Sequence, residues 1–390
     1  MLPTYIKKRV TNIPWWKWII VIDLVLVTIT ALTKVNISLP GFVYFDLGNE
    51  MNFAVWWSTI TLFLTGVLSY ELFCSKKDGT KTAWLAISIL FCALSWDEIG
   101  SLHERAFQGS WSNYIPYAIA AVSLLIYTLI KLFAKTQTRK SALLILVAFI
   151  LFGSVALQEY IEHAINWTGW LMGVRIGIEE GTELLGTLLS LTAVVIQREP
   201  KNSQSIEALL PNLQSIKSFS YLLLFSLFLH GIVSFWLPSL PDLYERGNPA
   251  IWYPSMVVFL IFLNTARNLL TMETYNKKRL LYLIINFAVF SALICAQAPK
   301  ESLIKFYVLY GIESLLIPLF YVKLNEFKID FHILILSYLP GLLLISSLIG
   351  GIVAPFLVSG IFVYLLAQIF LLDSVPNLAP QKVVQHLEKV

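Results

Sequence analysis

Long apolar runs alternate with short polar breaks along this chain. The runs come in blocks of about 20 residues, the length an α-helix needs to cross the hydrocarbon core of a bilayer. Taken in order they predict twelve spanning helices, at residues 15–34, 54–74, 82–103, 113–133, 141–163, 171–196, 217–236, 252–270, 279–297, 303–322, 332–349 and 351–372. Only the Gly350-Gly351 pair separates the last two, so eleven spans with a re-entrant hairpin is the alternative count. The expected fold class is all-α, a polytopic integral membrane protein.

Composition agrees with the pattern. The chain has 57% hydrophobic residues, 13% charged residues and a mean hydropathy of +0.72, whereas soluble domains carry about 25% charged residues. Lys7, Lys8, Arg9 and Lys17 precede the run Ile19 to Leu32, but no small-residue cleavage site follows, so this run is expected to be the first span rather than a signal peptide. The three cysteines, Cys74, Cys92 and Cys295, lie in or at the ends of different spans and imply no disulfide framework.

Charge sets the expected orientation. If the N-terminus is cytoplasmic, 22 of the 28 basic residues fall in cytoplasmic segments, leaving Lys34, Arg105, Arg175, Arg246, Lys300 and Lys305 elsewhere. Both termini are therefore expected in the cytoplasm, and the protein itself in the cell membrane (plasma or inner). The net charge of +4 is topological and points to no nucleic-acid partner. The longest inner segment, Arg198 to Lys217, is polar and divides the chain. The expected organisation is a six-helix membrane half (1–197), a cytoplasmic linker (198–216), a second membrane half (217–372) and a cytoplasmic tail (373–390).

This topology gathers the acids. Asp46, Glu50, Asp97, Glu98, Glu104, Glu159, Glu162, Glu179, Glu180 and Glu183 make ten of the 24 acidic residues, and all are expected at one outward level together with Asn52, His103 and His163. Ionisable groups at membrane depth are costly and mark functional candidates. Glu159 and His163 are four residues apart, so one helical face holds a carboxylate and an imidazole, with Glu162 beside them. Glu179, Glu180 and Glu183 repeat the clustering, with Arg175 one turn from Glu179. Asp97, Ser101 and Glu104 share a stripe that leaves Glu98 and His103 off it. Carboxylates crowded in a low dielectric require protons or a cation to neutralise them.

A mixed Asp/Glu/His set suits Zn, Mn or Fe, and carboxylate-histidine helices are the logic of dinuclear sites in helical bundles. Their usual Glu-x-x-His spacing is here Glu159-x-x-x-His163. The expected metal ligands are His103, Glu104, Glu159, Glu162, His163, Glu179 and Glu183; the acid/base groups are Asp97, Glu98 and Glu180; and Asp46, Glu50, Asn52 and Arg175 are expected to meet substrate. The bland reading is that acids at span ends are merely hydrated or paired with Arg105 and Arg175. Elsewhere, Asp23 and Glu313 read as a buried pair or as packed carboxyl groups, His230 as a core histidine, and Glu71 as a partner of Lys76 or Lys77.

The segments FDLGNEMNFAVWWS, SWDEIGSLHE and EEGTELLG are similar to a group of uncharacterised bacterial multi-pass membrane proteins with an acidic outer loop, a DE…HE span end and an EExxE span. The resemblance covers about the first 200 residues and implies polar positions at Glu50, Asn52, Asp97, Glu98, His103, Glu104, Glu179, Glu180 and Glu183, but no activity. Asp97, Ser101 and His103 also resemble the Ser/Asp/His chemistry of zinc-dependent ceramidase-like hydrolases, whose HxxxH pair is missing here. The span count and the loop SKKDGTK are loosely like the major facilitator transporters, without the glycine that opens their loop signature. Glu179-Glu180 is similar to the paired Glu of CAAX-type membrane proteases, without their following arginine.

Three functions fit these residues. The first is a metal-dependent membrane enzyme, a hydrolase of a lipid or lipid-linked substrate at the outer leaflet, in which the metal acidifies a bound water and a carboxylate serves as base. The second is a cation- or proton-coupled transporter, for which only Thr187, Ser190 and Thr192 continue inward from Glu183. The third is a non-catalytic membrane scaffold.

Overall fold

The computed structural model describes residues 14–35, 37, 42–47, 52–100, 115–164, 167–200 and 203–236, with isolated positions between 252 and 267. Seven long helices lie in these stretches: α1 (Trp15–Lys34), α2 (Phe53–Ser75), α3 (Lys81–Gly100), α4 (Ile115–Phe133), α5 (Arg139–Ala164), α6 (Trp170–Arg198) and α7 (Leu213–Trp236). They occupy the first seven predicted spans with ends shifted by only a few residues. Short 3-10 turns at Phe42–Phe45, Thr136–Thr138 and Ile206–Leu209 punctuate the connections. Among the described residues, five segments are long and apolar enough to cross a membrane: Trp15–Lys34, Phe53–Ser75, Lys81–Gly100, Ile115–Phe133 and Thr136–Val155. The predicted spans from residue 279 onward, and with them Glu313, lie outside the described residues, as does the His230 side chain.

Helix α2 is the axis of the bundle. Of its most apolar stretch, 83% is buried, against 11% for α4. It packs on α3, α6 and α7. Phe63 is fully buried and meets Phe219 of α7, Trp252 and Phe259 edge-on, with ring centroids 5.6, 5.6 and 6.3 Å apart. An apolar helix in such a place still has hydroxyls to satisfy. Thr61, Thr65 and Ser69 do so by donating to the carbonyl four residues earlier. Ser95 of α3 donates instead across the interface to the Thr59 carbonyl, at 2.9 Å, while accepting from Trp252 Nε1 at 2.8 Å.

Outer faces are apolar too. On α4, Tyr117, Ile119, Val122, Ile126 and Ile130 are exposed, and on α1 so are Val21, Leu24 and Val25. Contiguous apolar surface of this kind suits lipid contact rather than water.

Close packing of α1 on α6 depends on glycine. A Cβ at Gly173 would stand 2.7 Å from the Ala31 carbonyl oxygen and 2.9 Å from Val35 Cγ1, so only hydrogen fits. Gly177 and Gly181 continue the same face with ordinary clearances of 3.6 and 3.7 Å. This approach sets α1 against the acidic turn of α6. On the other side of α6, Ser141 of α5 donates to the Ala193 carbonyl at 2.8 Å.

At the end of the bundle where α1 and α3 begin and α2 and α6 finish, the segment predicted as a linker is bound down. Trp15 donates from its backbone N–H to the Gln204 carbonyl (3.2 Å) and from Nε1 to the Ser203 carbonyl (2.6 Å). Glu71 does not pair with Lys76 or Lys77, as its sequence position predicts. It accepts from Arg198 Nε at 2.6 Å and from the Asn212 N–H at 2.8 Å. Helix α6 runs two residues past the predicted span, and that extension brings Arg198 to Glu71. The rest of the guanidinium donates to the carbonyls of Ala208 and Leu210, both at 2.8 Å.

Candidate functional site

At the opposite end, residues 46 and 47 of the α1–α2 connection are pinned. Asn52 caps α2, its Oδ1 accepting from the N–H groups of Ala54 (2.8 Å) and Val55 (3.1 Å), which satisfies donors that a helix start otherwise leaves open. Its Nδ2 donates to the Asp46 carbonyl. The Leu47 N–H donates to Thr30 Oγ1 at 2.8 Å. Below these bonds Leu26, Leu47, Ala54 and Leu184 form a small buried cluster with Trp57 packed against it. Three helices and the connection therefore share one foundation.

On that foundation the acids gather. Asp46 is buried and faces Lys34 at the end of α1, Nζ to Oδ2 3.6 Å. Glu180 of α6 feels the charges of Glu98 on α3, of its neighbour Glu179 and of Asp46, with Lys34 opposing them. Glu179 accepts from Arg175 Nη1 at 2.8 Å, an i,i+4 pair on the same helix. Glu183 lies one turn further along α6 and, like Glu98, Glu179 and Glu180, is half-buried. One helix lower, Asp23 Oδ1 accepts from Trp57 Nε1 at 2.8 Å. This answers the question of its partner: an indole.

The predicted site residues thus divide. Asp46, Glu98, Glu179 and Glu180 come together from the connection, from α3 and from α6. Asp97 sits beside Glu98 on the last turn of α3. It is Glu98, the residue off the expected stripe, whose charge reaches Glu180. Asn52 has both ends of its amide engaged in positioning the connection. Arg175 is bonded to Glu179. Glu50, His103 and Glu104 lie outside the described residues. Glu159, Glu162 and His163 belong to α5 by backbone, with side chains outside the description. Among the described residues, no group of three or more His, Cys, Asp or Glu is arranged to hold a metal ion.

Lys34, Thr30 and Trp57 carry parts of this site that the sequence reading did not assign. One signal was present for Lys34, which is among the few basic residues on the minority side of the charge asymmetry.

Fold and site together define a helical protein with several helices apolar enough to cross a membrane and an acid-rich end. Residues 18–197, which hold all the acids of this end, match a family described as a domain of unknown function (DUF8692). Comparison with curated proteins and with solved structures gives no match.

Proposed function

We propose that the protein is a multi-pass membrane protein of about twelve spans whose acid-rich end faces outward and binds a divalent cation, as the centre of a metal-dependent enzyme acting on a lipid or lipid-linked substrate. The observation that supports this most is that the charges of Asp46 in the α1–α2 connection and of Glu98 on α3 reach Glu180 on α6, beside its neighbour Glu179, with Lys34 the opposing cation. Carboxylates crowded together in a low dielectric call for a proton or a cation. His103, Glu104, Glu159, Glu162 and His163, close by in sequence order to α3 and α6, are the ligands that complete the set with Glu179 and Glu183 in this reading. Glu98 and Glu180 supply the acid and base, and Asp97 assists. The metal would acidify a bound water, which a carboxylate then deprotonates for attack.

Metal content of the full chain, purified without chelator, tests this. The expected result is a transition metal (Zn, Mn or Fe) near stoichiometry that falls about 10–100-fold in His163→Gln and Glu183→Gln. Wild-type protein with less than about a tenth of an equivalent overturns it. The orientation has its own test: cysteines placed at Ser110 and Ser205 are expected to react with an impermeant thiol reagent only from outside and only from inside, respectively.

A second reading, a cation- or proton-coupled transporter, draws support from the hydroxyls buried in the bundle beyond the acids: Thr61, Thr65 and Ser69 on α2, and Thr187 and Ser190 on α6. It moves ahead if no metal is found. A scaffold reading predicts that the carboxylates tolerate replacement by their amides.

A further inference from the structure

The end of the bundle away from the acidic site carries a concentrated positive charge. Two connections supply it. Residues 76–81 between α2 and α3 hold Lys76, Lys77 and Lys81, and residues 134–140 between α4 and α5 hold Lys135, Arg139 and Lys140. Asp78 is the single acid in both stretches. The connections touch: Lys135 Nζ lies 3.1 Å from Asp78 Oδ2, and the Thr82 and Tyr127 hydroxyls of the adjoining helices are 2.6 Å apart. Helix α6 closes the group, since Gln197, oriented to satisfy both neighbours, donates to the Gln137 carbonyl and accepts from Lys76 Nζ, each at 3.2 Å. Lys77, Lys81, Arg139 and Lys140 are exposed.

Asp78 cannot cancel this charge. The Thr80 hydroxyl, and after it the Thr80 N–H, hold the Asp78 carboxyl down at about 2, so it stays ionised, yet it is one acid against six cations.

Aromatic rings fix the level of these cations. Lys81 Nζ stands 4.8 Å over the Phe73 ring, Lys131 Nζ 5.9 Å over Tyr127, and Lys17 Nζ, at the start of α1, 5.5 Å over Trp16. Cations paired with aromatic side chains at the ends of apolar helices lie at the headgroup level of a bilayer. From this placement we propose that the joined α2–α3 and α4–α5 connections form a binding surface for the phosphate headgroups of anionic lipids. Basic pockets between helix ends take such headgroups through phosphate contacts, and each lysine or arginine near the surface adds roughly fivefold to the attraction. The Asp78–Lys135 pair joins the two connections, so cations of both stand on one surface. This inference needs only that the helices cross a membrane and stands apart from the chemistry at the acidic end.

Native mass spectrometry of the full chain, released from nanodiscs of equal phosphatidylglycerol and phosphatidylcholine, tests it. The wild type is expected to retain phosphatidylglycerol preferentially. Replacing Lys76, Lys77 and Lys81 together with Gln should lower that preference on the order of 100-fold, and replacing them with Arg should keep it. Asp78→Asn keeps the oxygen that accepts from Thr80 and should raise the preference about fivefold. This opposite sign stands even where the triple Gln variant fails to fold. An unchanged lipid ratio in the Gln or Asn variants overturns the proposal. So does displacement of the retained lipid by inorganic phosphate, which would mark a site for a soluble anion.

Discussion

The two ends of the bundle use charged groups in opposite ways. At the Glu71 end, one carboxylate meets one guanidinium, and each of the two remaining Arg198 nitrogens donates to a carbonyl. At the Glu180 end, Asp46 faces Lys34, Glu179 accepts from Arg175, and the charges of Asp46, Glu98 and Glu179 all reach Glu180. The first arrangement is closed and neutral. It ties α2, α6 and the segment after α6 into one piece and leaves nothing over for a ligand. The second is acid-rich, held up by the capped and pinned α1–α2 connection. A buried pair that is satisfied on all sides reads as architecture. A cluster of like charges drawn from several elements reads as a place where something else binds.

Breaking the closed end should cost the most. Arg198→Met leaves Glu71 buried with only the Asn212 N–H, and a buried ion pair deprived of one partner loses about 3–5 kcal/mol. Thermal unfolding in detergent is expected to show that loss, with partial recovery in the Glu71→Leu, Arg198→Met double variant, where no lone charge remains. Recovery no better than in the single variant would mean that the pair does more than neutralise itself.

The α1–α6 contact sits beneath the acidic end and should give the next effect. Gly173→Ala drives a methyl group into the Ala31 carbonyl oxygen, 2.7 Å from where the Cβ must stand. Overpacking of this kind costs about 1–3 kcal/mol. Gly177→Ala, with 3.6 Å to its nearest atoms, is expected to stay within about 0.5 kcal/mol of wild type. Equal unfolding temperatures for the two variants would show that α1 moves away freely.

Smallest of all should be Lys34→Met at the acidic end. Its partner Asp46 is buried, but Lys34 is partly exposed and 3.6 Å distant, and exposed pairs contribute roughly 0–1 kcal/mol. Stability should barely change while cation affinity rises, because a competing positive charge has gone. A large fall in melting temperature would make the acidic end as structural as the other.

How far the sequence foretold this differs by region. The helices were legible because apolar runs of bilayer length admit one local solution, and their observed ends fall within a few residues of the runs. The topology that expected ten acids at one level also placed Asp46 and Glu98 near Glu180, and their charges do reach it, while Glu50 and Glu104, and the side chains of Glu159 and Glu162, lie outside the description. What escaped was direction. Glu71 has lysines five and six residues away, yet its partner is Arg198, 127 residues on, because the last turn of α6 crosses that of α2. Periodicity set Glu98 apart from Asp97, but contact with α6 depends on how α3 is rotated about its axis, which packing against α2 decides. Asn52 read as a ligand-facing polar residue because an N-cap needs only a short polar side chain, and both roles draw on the same residue type.

The central claim is that the acids clustered around Glu180 hold a cation. Titration of Mn2+ into the full chain, followed by loss of the free-ion electron paramagnetic resonance signal, tests it directly. The account predicts that Glu98→Gln and Glu180→Gln each weaken binding about 10–100-fold, while Glu71→Gln at the closed end leaves it unchanged. Equal Mn2+ binding in all four proteins, or none in the wild type, would contradict it.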